Sequence, residues 1–260
     1  MTERTVLIKC LKTCGAILSK HYRKVDYTLK GKGNLVTKAD MESETAAARI
    51  IRTAFPDHDI LAEENHTKLT ASKNLWIMDP LDGTTNYAHG YLAFCVSIAL
   101  LKNGKPALGG IFDPFRNELF LAEKGKGATL NGKKIHVSKT ARLKDSLVCT
   151  GFPYDRHLRP EFYCGFIAEF LKICHDVRRS GSAALDMAWL SAGRIDGYWE
   201  FNLKPWDVAA GKLILEEAGG KVTDFSGNSW KSYPQYGAEN LATNGKIHRE
   251  MLHIIKTRIR

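Results

Sequence analysis

The chain has 260 residues, of which 44% are hydrophobic, and a formal net charge of +10. This length fits one large domain or two small ones with a substantial core. No apolar run approaches the roughly 20 residues that cross a bilayer, and Met1-Thr2-Glu3-Arg4 carries an acid where a signal peptide would not.

Residues 3–20 place Leu7, Cys10, Leu11, Cys14, Ile17 and Leu18 on one face of a predicted helix. Lys30-Gly31-Lys32-Gly33-Asn34 follows as a flexible basic loop. A second helix is expected over 40–55, with Asp40 as its cap and Met41, Ala47, Ala48, Ile51 and Phe55 facing inward. Residues 75–78 read as a buried strand that stops at Pro80, which cannot donate to a ladder. Strands separated by Asn103-Gly104 and by Pro114–Asn117 fill 92–123, and Asn131-Gly132 marks a further hairpin.

The second half alternates differently. Helices are expected over 159–172, 182–192, from Pro205 through Glu217, and about 246–258. Strands are expected at His175–Val177, Gly197–Glu200, Val222–Asp224 and Leu241–Thr243. Pro205 suits a first helical turn and Gly219-Gly220 a helix stop. Without a strict strand–helix–strand order, the mixture favours a layered α+β fold over a doubly wound sheet.

The six cysteines contain no C-x-x-C pair, and most have apolar neighbours. They read as reduced core thiols of a cytoplasmic protein. The excess of lysine and arginine has three readings: a solvated surface, steering of an anionic substrate, or a nucleic-acid footprint. No RNA-recognition or zinc-finger motif supports the last. The histidines, including His66 and His89, show no metal-ligand spacing.

The chemistry concentrates at predicted element ends. Asp79 and Asp82 project where the strand stops, in Asp79-Pro80-Leu81-Asp82-Gly83-Thr84-Thr85-Asn86-Tyr87. Two carboxylates held together raise each other's pKa unless a cation neutralises them, and hard oxygen ligands suit Mg2+. Gly83 lets a backbone approach a ligand, and the turn after it offers N–H groups to a phosphate. Glu63 follows an apolar run, and Asp207 opens a helix behind Pro205-Trp206. Taken singly, Asp207 reads as a helix cap and Glu63-Glu64 as a surface pair.

Taken together, these segments resemble the inositol monophosphatase family. Ala62-Glu63-Glu64, the Asp79–Tyr87 run, Trp206-Asp207-Val208-Ala209-Ala210-Gly211 and Glu216-Glu217-Ala218-Gly219-Gly220 match its motifs in order and spacing. Leu35–Asp40, Gly181–Leu185 and Tyr198-Trp199-Glu200 match further elements, so the likeness runs from about 5 to 255. It implies an αβαβα sandwich over 1–260, with an N-terminal α+β half to about 145 and a C-terminal α/β half from 146.

The resemblance also implies Mg2+-dependent hydrolysis of a phosphate monoester such as inositol 1-phosphate, lithium sensitivity and a homodimer. Residue by residue, Glu63, Asp79 and the Leu81 carbonyl would bind one ion, and Asp79, Asp82 and Asp207 a second. Glu63 would help hold a third, weaker ion through water. Thr84, with Asp40 behind it and helped by Glu63, would orient the attacking water. Gly83 and Thr84 would hold the phosphate; Asp82, Gly181, Ser182, Ala183 and Glu200 would contact the alcohol.

Some positions depart from the family pattern. Ala62 stands where a Gly is frequent, and Asn34 where an Asp is common. Lys30 or Lys32 could reach the site from the 30–34 loop. Arg178 and Arg179 could meet a second phosphate, which keeps a fructose-1,6-bisphosphatase or dual-specificity phosphatase as the rival within the class. An aspartyl-phosphate mechanism fits poorly, because the two carboxylates stand three apart, not two. The rival of another class is a regulatory nucleic-acid-binding protein with secondary phosphatase activity.

Overall fold

The structure, a computed structural model, describes residues 1–23, 27–31, 34–64, 67 and 69–259, with the backbone alone at 27–31 and 34–36. Helix α1 (Glu3–His21) starts at Thr2, whose hydroxyl accepts from the Thr5 N–H, and buries Leu7, Cys10, Leu11, Cys14 and Leu18. Strands β1 (Tyr27–Gly31) and β2 (Asn34–Thr37) pair as an antiparallel hairpin that hydrophobic periodicity did not disclose. Lys30 therefore lies in a strand, while Lys32 and Gly33 lie outside the described residues.

Helix α2 (Lys38–Ala54) begins two residues before the expected point. Thr37 is its cap, and Asp40 is the third helical residue of a capping box. The Asp40 carboxylate accepts from the Thr37 N–H at 2.8 Å and the Thr37 hydroxyl at 2.5 Å.

Strands β3 (Asp59–Ala62), β4 (Asn74–Asp82), β5 (Cys95–Lys102), β6 (Lys105–Asp113), β7 (Glu118–Glu123), β8 (Gly127–Leu130) and β9 (Lys133–Lys134) form one sheet in chain order. Only β3 and β4 run parallel in it. Between β4 and β5 lies the short helix α3 (Thr84–Ala88). Strand β4 continues through Pro80 to Asp82, beyond the expected stop. Its ladder with β5 jumps from Asp79–Ser97 to Asp82–Cys95, so Pro80 sits in an irregularity that asks no donor of it.

The second sheet has the order β11-β10-β12-β14-β13, built from β10 (Leu147–Thr150), β11 (Asp176–Arg178), β12 (Gly197–Phe201), β13 (Lys221–Thr223) and β14 (Glu239–Thr243). Strand β10 runs parallel to both its neighbours. The remaining helices are α4 (Pro160–Leu171), α5 (Ala183–Ser191), α6 (Pro205–Glu217) and α7 (His248–Ile259).

Alternation along β4 explains the layering. Trp76 and Met78 face a core shared with α1 and α2. Leu75 and Ile77 face the opposite core, shared with α5, α6 and Tyr198 of β12. Phe166 and Phe170 of α4 and Met251 and Ile255 of α7 cover the far side of the second sheet at Val148, Trp199 and Leu241. The result is an αβαβα sandwich. Helix α6 lies so close to β6 that a Cβ on Gly109 would sit 2.9 Å from the Ala210 carbonyl oxygen, which explains a glycine there. No described helix is long and apolar enough to cross a membrane.

Candidate active site

The C-terminal end of β4 and the first turn of α6 meet at the mouth between the two sheets. Carboxylate oxygens of Asp79, Asp82 and Asp207 lie within 4.8 Å of one another. Asp79 is 2% exposed and Asp82 8%. Asp207 is fixed by the Lys204 N–H at 2.7 Å, so it combines the cap role with its place in the cluster.

The energetics follow from this crowding. Burial pushes the Asp79 carboxyl well above the usual carboxylate range, and Glu63, Asp82 and Asp207 push it further. Asp207 is raised by burial and by Asp82, against the pull of the Lys204 N–H. Asp82 is raised by burial and opposed by its donors. Those donors are the Ser182 hydroxyl at 2.5 Å and the Ala184 N–H at 2.8 Å, with the Cys95 thiol 3.8 Å away. Among the described residues no lysine, arginine or histidine forms an ion pair with the three acids. Three carboxylate donors that no cation among the described residues neutralises fit a hard divalent ion.

Thr84 sits one turn further on. Its hydroxyl donates toward the Leu81 carbonyl at 3.0 Å and Asp40 Oδ1 at 3.2 Å. Asp40 itself is buried behind it. Gly83 holds φ at +92°, and a Cβ there would lie 2.8 Å from the Ala93 carbonyl oxygen, so the turn requires glycine. The side chain of Asn86 ties this turn to the opposite wall, donating to the carbonyls of Ala93 at 2.6 Å and Ser180 at 2.9 Å.

These residues open into a cleft of about 490 Å³. Glu63, Asp79, Leu81, Asp82, Gly83, Thr84, Gly181, Ala183, Glu200 and Asp207 all line it. Glu63 is not one of the three acids whose oxygens lie within 4.8 Å. Ser182 does not line the cleft. It is 2% exposed, and its hydroxyl is committed to Asp82. Glu200 stands at the far wall with its carboxyl pushed up to about 7 by burial, against the Tyr198 hydroxyl and Arg179, which lower it.

Sequence reasoning missed part of this wall. Gly151, Phe152, Tyr154 and Arg156 come from the loop after β10, and no motif marks them. Arg179 lines the cleft, whereas Arg178 does not; Arg178 forms an ion pair with Asp176. The strand ends at Arg178, and Arg179 lies just beyond it in the turn toward Gly181. The side chains of Lys30 and Asn34, as well as Lys32 and His66, lie outside the described residues.

A layered fold with an acidic cluster at strand and helix ends is the architecture of a metal-type hydrolase. The chain belongs to the inositol monophosphatase family, whose model matches residues 2–259, and family membership makes it a phosphoric monoester hydrolase. An inositol-1-monophosphatase of Synechocystis is 46% identical over 226 residues, covering 84% of this chain and 76% of that protein. The Nus factor SuhB of Salmonella typhimurium is 39% identical over 252 residues, covering 95% and 93%. Among solved structures, the inositol monophosphatase from Anabaena superposes with a TM-score of 0.87 at 44% identity, over 97% of this chain and 94% of that one. An IMPase/NADP phosphatase complexed with Mg2+ and phosphate superposes with a TM-score of 0.84 at 26% identity, over 96% and 94%.

Proposed function

We propose that this chain is a Mg2+-dependent phosphomonoesterase that hydrolyses inositol 1-phosphate or a similar polyol phosphate. The carrying observation is the cluster of Asp79, Asp82 and Asp207 within 4.8 Å, beside Thr84 in one cleft. Asp79, Asp82 and Asp207 would hold one ion, Glu63, Asp79 and the Leu81 carbonyl another, and Glu63 a third, weaker one through water. Bound divalent ions would neutralise the ester and the developing alkoxide and make water acidic enough to attack. The Mg2+ and phosphate in the structure of the IMPase/NADP phosphatase support this reading.

The protein groups have separable tasks. Thr84 Oγ1 directs its own proton toward Asp40 or the Leu81 carbonyl, so its lone pairs face outward and accept a hydrogen bond from the attacking water, which orients it. The Gly83 and Thr84 N–H groups hold the phosphate. Glu200 accepts from a hydroxyl of the alcohol, while Gly181 and Ala183 shape the space around it. Ser182 acts one step back, through Asp82.

Phosphate release, with and without Mg2+, from inositol 1-phosphate, fructose 1,6-bisphosphate, histidinol phosphate, adenosine 3′,5′-bisphosphate and glycerol 2-phosphate tests this. Metal-dependent turnover led by inositol 1-phosphate is expected, and Asp82→Asn should abolish it while the chain stays folded. Wild-type rates in that variant would refute the reading.

One observation favours a second substrate within the class. Arg156 and Arg179 line the alcohol end of the cleft, and among the described residues neither forms an ion pair. Guanidinium groups placed there suit a second phosphate, as in fructose 1,6-bisphosphate. A lead for that ester in the panel, lost in Arg156→Gln and Arg179→Gln, would establish it.

The remaining proposals concern the context of the enzyme. Tyr91, Leu92 and Phe115 are exposed, and the first two line a groove of about 310 Å³ with Trp189. We read this face as the contact of a homodimer, which light scattering on the eluting protein would test. The six cysteines are free and five are buried, in keeping with a cytoplasmic enzyme. The Nus factor name belongs to the Salmonella relative. For this chain, with its charge of +10, the matching measurement is RNA binding at about 0.15 M salt, where phosphate contacts are already weakened by counterions.

A further inference from the structure

We propose that Tyr198 is a positioning residue for Glu200, holding its carboxylate so that one oxygen serves the hydroxyls of the leaving alcohol; this rests on the phosphomonoesterase reading above.

Both residues lie on β12, two apart, and so project from the same face of the strand. Tyr198 is fully buried, and its hydroxyl donates to Glu200 Oε2 at 2.5 Å. Burial keeps the phenol protonated, with Glu200 and Asp186 adding to the effect, so it remains a donor. From the other side, Gly151 of the neighbouring loop presses on the same carboxylate; a Cβ there would overlap it. Gly151 is itself buried, and the Thr150 hydroxyl donates to the Trp199 carbonyl at 2.9 Å, which locks this loop to the strand.

A glutamate has three side-chain torsions, and an unsupported one at a cleft wall would sample many of them. Here the phenol fixes one oxygen, and Gly151 removes the room to swing. Oε1 accepts no hydrogen bond from the described residues and is left for a ligand. Selectivity for a polyol over an alcohol without hydroxyls then depends on Tyr198, although it touches no substrate. The sequence places Tyr198 in the Tyr198-Trp199-Glu200 segment but does not say that its hydroxyl meets Glu200.

The experiment compares Tyr198→Phe with wild type on inositol 1-phosphate and 4-nitrophenyl phosphate, with Mg2+ present. Loss of a charge-assisted hydrogen bond should lower the preference for inositol 1-phosphate about tenfold, through KM rather than kcat. A merely structural role would lower the melting temperature and leave the preference where it was, which would overturn the proposal. A second readout needs no turnover: carbon-detected NMR titration of the Glu200 carboxyl in the metal-free protein. Removing a donor to the charged form should make that carboxyl titrate at higher pH in the variant. An unchanged titration overturns the proposal even if both esters are hydrolysed. A raised titration with neither ester hydrolysed would uphold the positioning role and refute the phosphomonoesterase reading instead.

Discussion

The Ser182 hydroxyl donates to Asp82 Oδ2 at 2.5 Å, joining two residues a hundred positions apart. Ser182 also caps α5 by accepting from the Leu185 N–H. One hydroxyl thus sets the start of a helix and the orientation of an acid in the cluster. Ser182→Ala should lower stability by about 1–2 kcal/mol. It should also raise the Mg2+ concentration for half-maximal activity about tenfold or more, as removal of partners behind metal ligands does. Metal titration of initial rates measures the second effect; an unchanged midpoint would separate Ser182 from metal affinity.

Metal-free stability should depend on pH with a definite sign. Asp79, Asp82 and Asp207 are all raised in the folded protein. They keep protons that the unfolded chain has already released, so their contribution is greatest below the ordinary carboxylate range and is lost as pH rises. Without Mg2+, Asp82→Asn should melt higher than wild type, by a margin that grows as pH rises above the ordinary carboxylate range. Saturating Mg2+ should reverse the order, because an ion that binds only the folded state stabilises it by mass action. Calorimetric melting with and without the metal decides both parts.

Asp186 offers a cleaner case. It is 1% exposed, it accepts from the Ser180 hydroxyl at 2.6 Å, and burial pushes its carboxyl up to about 8. Its penalty therefore develops between the ordinary carboxylate range and about pH 8. Asp186→Asn keeps the shape and an acceptor for Ser180 while removing the titration. Its melting temperature should match wild type near pH 4 and exceed it at pH 8, by about 2–4 °C for each kcal/mol relieved. Parallel curves across that range would contradict this account.

Gly83 tests the turn whose N–H groups are proposed to hold the phosphate. A side chain there meets both a left-handed φ of +92° and the Ala93 carbonyl oxygen at 2.8 Å. Because the obstacle is backbone, it cannot swing aside. Gly83→Ala should cost about 2–4 kcal/mol and reduce kcat/KM, since the turn must shift to accept it. Denaturant melts and steady-state kinetics provide the two readings.

Much of the site was legible because it is local. Asp79, Leu81, Asp82, Gly83 and Thr84 lie within six consecutive residues, and Pro80 and Gly83 punctuate them in a way that follows from backbone sterics. Asp207 was readable as a helix-start acid, and the structure gives it that role as well as a place in the cluster. The helix starting at Asp40 was misplaced because Thr and Asp are both good caps; the capping box assigns the role to Thr37. Strand β4 outran its expected end because an irregular ladder relieves Pro80 of its missing donor.

By itself, then, the amino-acid order determined the family and with it the kind of chemistry, and it marked the acids that the structure gathers at strand and helix ends. The tertiary structure alone decided which groups face the cleft. It turned Ser182 away to Asp82, chose Arg179 over Arg178, brought in Arg156 from an unmarked loop, and placed Tyr198 beneath Glu200. Leu75 and Ile77 are as apolar as Trp76 and Met78, so no pattern in β4 says which helices cover which face. That choice depends on how distant layers pack together, and burial and hydrogen-bond satisfaction across about a hundred residues of chain are properties of the packed whole.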